Sequence, residues 1–181
     1  MSQEQFLWWL EKNIGYLEGI CITGGEPTIH QDLPDFIKEI KDLGFLVKLD
    51  TNGTNPQMLE ELINNSLVDY AAMDIKAPKE KYQQFSNLDI DLGNIEKSME
   101  LIKSLPEHEF RTTIIPLYHD KNDLIAMAKW LKGAKKYVLQ QFRPETTLDP
   151  SCSMLKPYQD EELKKFCELL QPYFDICEVR I

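Results

Sequence analysis

Two glycines followed by a glutamate and a proline, at Gly24 to Pro27, have types and spacing that could bind a ligand. They follow a short apolar run, residues 19–22, and precede an amphipathic helical pattern. Glycine has no Cβ, so a bound molecule can approach the backbone closely, and the Glu26 carboxylate is a strong acceptor. The segment therefore predicts a site for an amino-acid-like or nucleoside ligand, although a plain strand-to-helix turn would also explain the glycines.

Polar residues also follow three later strands that the hydrophobic pattern predicts. They are Asp50, Thr51, Asn52 and Gly53 after the second strand, Asp74 and Lys76 at the end of the third, and Gln140, Gln141 and Arg143 beside the fifth. The carboxyl ends of parallel strands share one face of a βα protein, and binding sites form there. We therefore expect these residues to converge with Glu26 on one pocket.

Each of these residues also has a simpler explanation. Asp50 could cap a turn, and Asp74 with Lys76 could form a surface ion pair that contributes little. Lys76 could instead be the Schiff-base lysine of an aldolase-type barrel, because a lysine in an apolar setting loses its proton more easily. Asn52-Gly53 is also a hairpin signal, but Thr-Asn-Pro follows at 54–56 where a returning strand should alternate, so that explanation fails.

The composition excludes several classes of function. The chain has 181 residues, 43% of them hydrophobic, with a net charge of −10 and a pI of about 4.8. These values suit a globular domain and argue against a nucleic-acid-binding surface, which needs clustered Lys and Arg. No apolar stretch approaches the roughly 20 residues that cross a bilayer, and no basic segment precedes an apolar one at the N-terminus. We predict a cytoplasmic protein with neither a membrane nor a nucleic-acid partner.

The cysteines and histidines show no metal-binding spacing. Cys21, Cys152, Cys167 and Cys177 lie too far apart in the sequence to form a CxxC pair. Cys21 in an apolar strand and Cys167 on the apolar side of a helix are expected to be buried. The histidines fall in loops or at element edges, so we predict structural or solvated roles for them and no metal site in this chain. These histidines are His30, His108 and His119.

Predicted strands and helices alternate throughout the sequence. The strands cover residues 19–23, 45–50, 68–75, 109–115, 136–142 and 176–181. The helices are one with apolar positions from Phe6 to Leu17, one at 33–43, one opened by Asn55-Pro56, and those at 94–104, 121–132 and 159–171. Residues 79–93 are expected to be less regular, and a proline-rich loop covers 144–157. Repeated βα units predict an α/β fold with parallel strands and outer helices, either an open sheet or a barrel.

Three short segments make the chain resemble the radical S-adenosylmethionine superfamily. They read Gly-Gly-Glu-Pro at 24–27, Leu-Asp-Thr-Asn-Gly at 49–53 and Met-Asp-Ile-Lys at 73–76. Within that superfamily the chain is most similar to the activases of glycyl-radical enzymes, such as those of anaerobic ribonucleoside-triphosphate reductase and pyruvate formate-lyase. The resemblance covers essentially the whole chain. It implies a partial (β/α)6 TIM-type barrel with parallel strands, formed by a single domain over residues 1–181.

The resemblance implies a set of residues that bind S-adenosylmethionine. They are Gly24, Gly25, Glu26, Pro27, Asp50, Thr51, Asn52, Asp74 and Lys76. The glycine-glycine-glutamate-proline segment would hold the amino group of the methionine moiety. Asp50, Thr51 and Asp74 match positions around the methionine end and, in the pyruvate formate-lyase relative, a monovalent cation. Lys76 would pair with a carboxylate or ribose oxygen of the cofactor.

The resemblance also implies parts that this sequence lacks. In the family, three cysteines of a CxxxCxxC loop after the first barrel strand bind a 4Fe–4S cluster. That cluster donates the electron that splits S-adenosylmethionine and yields a 5′-deoxyadenosyl radical. None of the four cysteines replaces this loop, so we expect an N-terminally truncated domain without the first strand and the cluster ligands. Such a chain should be catalytically inactive on its own.

Four functions remain open at this point. The leading one is an activase that forms a glycyl radical on a partner enzyme, anaerobic ribonucleotide reductase, with flavodoxin or ferredoxin as electron donor. A second is another radical S-adenosylmethionine reaction on a small molecule, such as the rearrangement of deazaguanine biosynthesis. The third is a non-catalytic barrel that binds a partner, and the fourth is the Schiff-base aldolase.

Overall fold

The computed structural model describes residues 1–85, 90–146 and 152–181, and its six strands follow chain order in one sheet. The strands are β1 (Gly19–Ile22), β2 (Leu46–Thr51), β3 (Tyr70–Asp74), β4 (His108–Ile114), β5 (Lys136–Gln141) and β6 (Ile176–Arg180). The pairs β1–β2, β2–β3, β4–β5 and β5–β6 are parallel. This order confirms the predicted α/β fold of parallel strands, as in a partial TIM-type barrel.

The helices fall between the strands, as the sequence pattern predicts. They are α1 (Gln3–Glu11), α2 (Leu33–Asp42), α3 (Pro56–Asn64), α4 (Tyr82–Phe85), α5 (Leu92–Lys103), α6 (Lys121–Trp130) and α7 (Asp160–Leu170). The chain divides into two compact units. The first unit comprises Met1–Met73 with Gly93–His108, and the second comprises Asp74–Leu92 with Glu109–Ile181.

The first helix of the first unit is shorter than predicted. It begins at a capping box in which the Ser2 hydroxyl accepts from the Gln5 backbone and the Gln5 side chain accepts from Ser2. It ends at Glu11 because the Asn13 side chain donates to the Trp9 carbonyl and Gly15 then turns the chain with a φ of +85°. The apolar residues beyond the helix, predicted to lie on its buried face, are instead exposed.

The core of the first unit lies between β2 and its flanking helices. Val47, Leu49 and Thr51 alternate as buried residues along β2, while the intervening residues are less buried. Strand β2 contacts α2, whose buried positions include Ile37 and Ile40. The prediction that Cys21 is buried is wrong, because Cys21 is exposed on β1, a strand at the end of the sheet order with β2 as its paired neighbour.

The second unit contains β4, β5 and β6 with α6 and α7. Its buried residues include Phe110, Tyr137 and Leu163. The buried Glu109 carboxylate receives two bonds from the Arg180 guanidinium, at 3.2 and 3.0 Å, which ties the last strand to the first of this unit. A buried carboxylate is stable in such a place because a paired guanidinium compensates its charge.

Some predicted features fall outside or differ from the described structure. The irregular stretch predicted at 79–93 contains a short 3-10 turn, Lys79–Lys81, and α4, while residues 86–89 lie outside the described part. Residues 147–151 of the proline-rich loop lie outside it as well. None of the helices that the structure describes is both long and apolar enough to span a bilayer.

Candidate functional site

The turn after β1 leaves its two glycines facing open space. Gly24 and Gly25 have φ angles of +97° and +53°, a region that other residues rarely adopt. A Cβ built on either glycine would meet no atom within 4 Å. The backbone conformation explains why glycines stand here, and the space above them is available to a ligand.

The Glu26 carboxylate ties this turn to the end of β2. Its Oε1 accepts from the Thr28 backbone N–H at 3.2 Å and from the hydroxyls of Thr28 and Thr51 at 2.6 and 2.8 Å. Its Oε2 accepts from the Asn52 backbone N–H at 2.6 Å. Three of the predicted site residues, Glu26, Thr51 and Asn52, are therefore in direct contact. Oε1 is saturated, whereas Oε2 has room for another donor.

Thr28 is a member of this group that the sequence analysis missed. Its buried side chain donates to Glu26, and its carbonyl accepts from the Asn55 side-chain amide at 2.6 Å. Asn55 also caps α3 by accepting from the Met58 N–H. Glu26 caps the short 3-10 turn Pro27–Ile29 by accepting from the Thr28 N–H, and the Glu-Pro-Thr sequence has no strong signal that would have identified the role of the Thr28 hydroxyl.

The turn after β2 is fixed from several sides. The Thr51 hydroxyl accepts from the Gly53 N–H at 3.0 Å, and the Ser98 hydroxyl of α5 donates to the Gly53 carbonyl at 2.7 Å. Gly53 has a φ of +77°. A Cβ at this position would overlap Met73 Cε and lie 2.9 Å from its sulfur. The conformation therefore favours glycine here, and any side chain would also displace the end of Met73.

Asp50 does not join the group around Glu26. Neighbouring residues of a strand point to opposite faces, and Asp50 lies on the face opposite the buried Thr51. Its carboxylate pairs with Lys48 at 2.9 Å, and the Lys48 ammonium lies 5.7 Å from the centre of the Tyr70 ring. The alternation of β2 thus separates two adjacent residues for which the sequence predicted a single role.

In the second unit, Asp74 holds two cationic side chains. Its Oδ1 accepts from Arg111 Nε and its Oδ2 from Lys76 Nζ, both at 3.0 Å. Lys76 is half exposed and its ammonium is bound to a carboxylate. That setting is the opposite of the desolvated amine that a Schiff-base lysine requires, so the aldolase alternative loses its support.

Hydrogen bonds from neighbouring side chains fix the backbone around Lys76. The Ile115 N–H donates to His119 Nδ1 at 3.0 Å, which assigns the proton of the neutral imidazole to Nε2. Nε2 then donates to the Lys76 carbonyl at 2.9 Å, and the Thr112 hydroxyl donates to the Ile75 carbonyl at 2.8 Å. His119 is buried, and its role in the fold is structural, as the sequence predicted.

We expect His119 to make stability depend on pH below 6.5. Burial lowers the pKa of His119 below its usual value of 6.5, although its bond to the Lys76 backbone and the charge of Asp123 oppose this shift. As the pH falls through 6.5, the unfolded chain binds a proton that the folded chain does not, so the free energy of unfolding decreases. Urea denaturation at a series of pH values should show this decrease in the wild type and a smaller one in His119→Gln.

The exposed His30 provides the control for this measurement. His30→Gln should retain the wild-type pH dependence, because no buried imidazole is removed. An identical pH dependence in the wild type and in His119→Gln would contradict the prediction.

A cavity of about 440 Å³ adjoins the glycine turn within the first unit. Its lining includes Thr23, Gly24 and Pro27 from the turn and the rings of Phe6 and Phe36 from α1 and α2. Its volume is within the range of small-molecule sites, which combine apolar walls with a few polar groups. The peptide groups of the turn are therefore next to a space that can hold an organic ligand.

Comparison with known proteins identifies the family. Residues 1–131 match the Radical SAM superfamily. The chain belongs to this superfamily. It is 34% identical over 171 residues to a Methanocaldococcus jannaschii protein named "Putative glycyl-radical enzyme activating enzyme MJ1227", covering 91% of this chain and 71% of that protein. A second protein of that organism, with the same description, is 30% identical over 133 residues, which cover 68% of this chain and 49% of that protein.

Solved structures show that this radical SAM chain shares its fold with other proteins. A domain of pyruvate-formate lyase-activating enzyme from Bacteroides vulgatus matches with a TM-score of 0.69 and 18% identity, covering 89% of this chain and 98% of that domain. Streptococcus suis SuiB bound to S-adenosylmethionine matches with a TM-score of 0.74 and 11% identity, covering 100% of this chain and 44% of SuiB. At these identities the likeness establishes the fold.

Membership of the radical SAM superfamily implies two bound groups, S-adenosylmethionine and a 4Fe–4S cluster. The residues of this chain suit the first of these groups but not the second. The open glycine backbone and the spare acceptor capacity of Glu26 Oε2 suit the amino group of S-adenosylmethionine. For the cluster, the described residues contain no group of three or more His, Cys, Asp or Glu side chains that could hold a metal ion. These side chains therefore do not fit the cluster.

Proposed function

We propose that this chain is the S-adenosylmethionine-binding part of a protein that activates a glycyl-radical enzyme. The observation that carries the proposal is the open Gly24–Gly25 backbone beside a glutamate that its neighbours hold in place. The names of the two Methanocaldococcus jannaschii relatives support the activase class. When bound, S-adenosylmethionine would supply a sulfonium whose cleavage yields the 5′-deoxyadenosyl radical, as the family resemblance implies.

The residues of the first unit bind and orient the ligand in this proposal. Glu26 Oε2 and the carbonyls of the turn accept from the amino group of the methionine moiety. Thr51 acts through Glu26, because its hydroxyl donates to Oε1 while accepting from Gly53. It is a positioning residue, as is Asn52, whose backbone N–H binds Oε2. A carboxylate held by four bonds needs little reorganisation when the ligand arrives.

The roles of Asp50, Asp74 and Lys76 in this proposal rest on the resemblance alone. Asp50 and Asp74 would lie near the methionine end of the cofactor, where a relative of this family holds a monovalent cation. Lys76 would bind a carboxylate or ribose oxygen, and Arg111 would position Asp74 through its bond to Oδ1. The 4Fe–4S cluster would have to be bound by residues other than those described, and no step of the proposal uses it.

The proposed partner is a glycyl-radical enzyme, and within that class anaerobic ribonucleotide reductase. Flavodoxin or ferredoxin would be the electron donor of the complete system, and the cytoplasm its compartment. Mixing this chain with a purified anaerobic ribonucleotide reductase in analytical ultracentrifugation tests the partner. A faster-sedimenting complex supports the assignment, and its absence at tens of micromolar protein contradicts it.

Calorimetric titration of the chain with S-adenosylmethionine tests the ligand. We expect one binding site with a Kd on the order of micromolar, the affinity typical of a small charged cofactor held by a few polar groups. Adenosine, which lacks the methionine moiety, should bind at least about tenfold more weakly, because the proposed turn contacts are lost. No heat and no displacement of a fluorescent nucleoside would overturn the proposal.

Gly25→Ala should weaken S-adenosylmethionine binding more than it weakens folding. The φ of +53° lies in the left-handed region that alanine tolerates at a cost of about 1 kcal/mol. The added methyl group has space in the ligand-free chain but projects into the space proposed for the ligand. Titration calorimetry should show a loss of at least about tenfold in affinity, or about 1.4 kcal/mol.

Gly15→Ala is the matched control. Gly15 has a φ of +85° and open space at its Cβ position, but it lies outside the proposed site. This variant should have a comparable or larger folding defect and unchanged affinity for S-adenosylmethionine. Equal affinities for the Gly15 and Gly25 variants would remove the turn from the binding site.

A further inference from the structure

Two cysteines lie on the last helix and the last strand, which pack against each other. Cys167 is on α7, Cys177 is on β6, and each thiol shifts the pKa of the other. Both side chains are half-buried. The sequence predicts only that Cys167 fills an apolar helix face, but Cys167 also lines a cavity together with a second thiol, Cys177.

Both thiols line one surface cavity of about 560 Å³. Lys164, Glu168 and Glu178 contribute to the same lining. A small reagent can therefore reach the sulfurs from solvent, while the elements that carry them are held by the packing of the second unit. Accessibility and a facing second thiol are the two conditions that thiol–disulfide exchange needs.

Burial raises the pKa of both thiols. The charges of Glu168 and Glu178 also raise the pKa of Cys167, and that of Glu178 raises the pKa of Cys177. Both thiols should therefore react faster at alkaline pH, where more of each is thiolate.

We propose that Cys167 and Cys177 form a reversible intramolecular disulfide by exchange with a low-molecular-weight disulfide such as oxidised glutathione. One of the two thiolates attacks one sulfur of the reagent and releases one reduced thiolate, leaving a mixed disulfide on the protein. The other protein thiolate then attacks the protein sulfur of that mixed disulfide and releases the second reduced thiolate. The two protein thiols lose two electrons and two protons in total, and the reagent gains them.

The disulfide would close a short loop at the end of the chain. Ten positions separate the two cysteines, and the segment between them includes the turn Gln171–Tyr173. The two side chains line the same cavity of a packed helix–strand pair, and the disulfide requires side-chain rotation that brings their sulfurs to bonding distance. The bond would fasten α7 to β6 covalently.

The test is mass spectrometry of the whole chain after incubation with oxidised glutathione at mildly alkaline pH. The variant Cys21→Ser/Cys152→Ser carries only the proposed pair. We expect it to lose about 2 Da, with no retained glutathione, and to yield a cross-linked peptide pair after proteolysis without reduction. Dithiothreitol should restore the original mass.

Single variants of the pair supply the controls. In the same background, Cys177→Ser should trap one glutathione on Cys167, because no second thiol can release it. Cys167→Ser should likewise trap one glutathione on Cys177, which lines the same cavity. Circular dichroism checks that each variant is folded. A stable mixed disulfide in the variant that keeps both Cys167 and Cys177 would overturn the proposal. So would the absence of any reaction of this pair under conditions that fully modify Cys21 in the wild type.

Discussion

Glu26→Ala should lower the free energy of unfolding by about 3 kcal/mol, because it removes the acceptor of four hydrogen bonds at once. The donors left behind include the hydroxyls of Thr28 and Thr51, and both residues are buried. An unsatisfied buried donor costs about 1–3 kcal/mol, and the costs do not add fully because the donors share one partner. Urea denaturation followed by circular dichroism measures the change.

Glu26→Gln separates the charge from the shape of this side chain. Donors face both carboxylate oxygens, so an amide must turn its NH2 group toward at least one of them. We expect Glu26→Gln to lower the free energy of unfolding by about 2 kcal/mol, less than Glu26→Ala does. Glu61→Ala, at an exposed position of α3, is the control and should change stability by less than about 0.5 kcal/mol.

The same glutamine variant tests the ligand role of Glu26. It should bind S-adenosylmethionine at least about tenfold more weakly than the wild type at a temperature where both are fully folded. Thr28→Val removes one hydroxyl from Oε1 but leaves Oε2 in place, so it should lower stability with a smaller effect on affinity. Unchanged affinity in Glu26→Gln would mean that the carboxylate only holds the turn.

Gly53→Ala should lower the free energy of unfolding by about 2–4 kcal/mol. A φ of +77° costs a residue with a side chain roughly 1–2 kcal/mol. The new Cβ would also overlap the end of the Met73 side chain, which is fully buried and would have to shift within the core. Forcing a methyl group into a packed core adds about 1–3 kcal/mol.

Gly44→Ala isolates the conformational part of that loss. Gly44 has a φ of +91° and no atom within 4 Å of its Cβ position, so its variant carries the backbone cost without the overlap. The difference between the two variants in urea denaturation should be at least about 1 kcal/mol. Equal losses of unfolding free energy in the two variants would show that the Met73 side chain moves aside without cost.

The sequence predicts the fold well because each element is determined by local signals. The apolar alternation of β2 and the Asn55-Pro56 opening of α3 identify those elements to within a residue or two. The first helix was predicted too long because Ile14 and Leu17 continue its spacing by chance. The capping bond from Asn13 to the Trp9 carbonyl, which ends it, has no strong sequence signal.

The sequence predicts which segments form the candidate site, but it does not predict the hydrogen bonds within it. The glycine turn and the Asp-Thr-Asn-Gly segment were found because they interrupt apolar strands with residues that suit a ligand. Glu26 accepts four hydrogen bonds from the protein itself. These bonds depend on side-chain directions, which the spacing of residues in the sequence does not reveal. Two side chains were missed because each lies on an element distant in sequence from its partner: Ser98, which binds the Gly53 carbonyl, and Arg111, which binds Asp74.

The bond from Ser98 to the Gly53 carbonyl has a consequence for the order in which the protein is made. The first unit is discontinuous, and its second part begins at Gly93, after the chain has passed through the start of the other unit. During synthesis the turn at Gly53 emerges 45 residues before its partner on α5. A nascent chain that ends at Met73 therefore contains every residue that binds Glu26, but it lacks Ser98, whose hydroxyl donates to the Gly53 carbonyl. The first unit can reach its final form only once α5 has been translated.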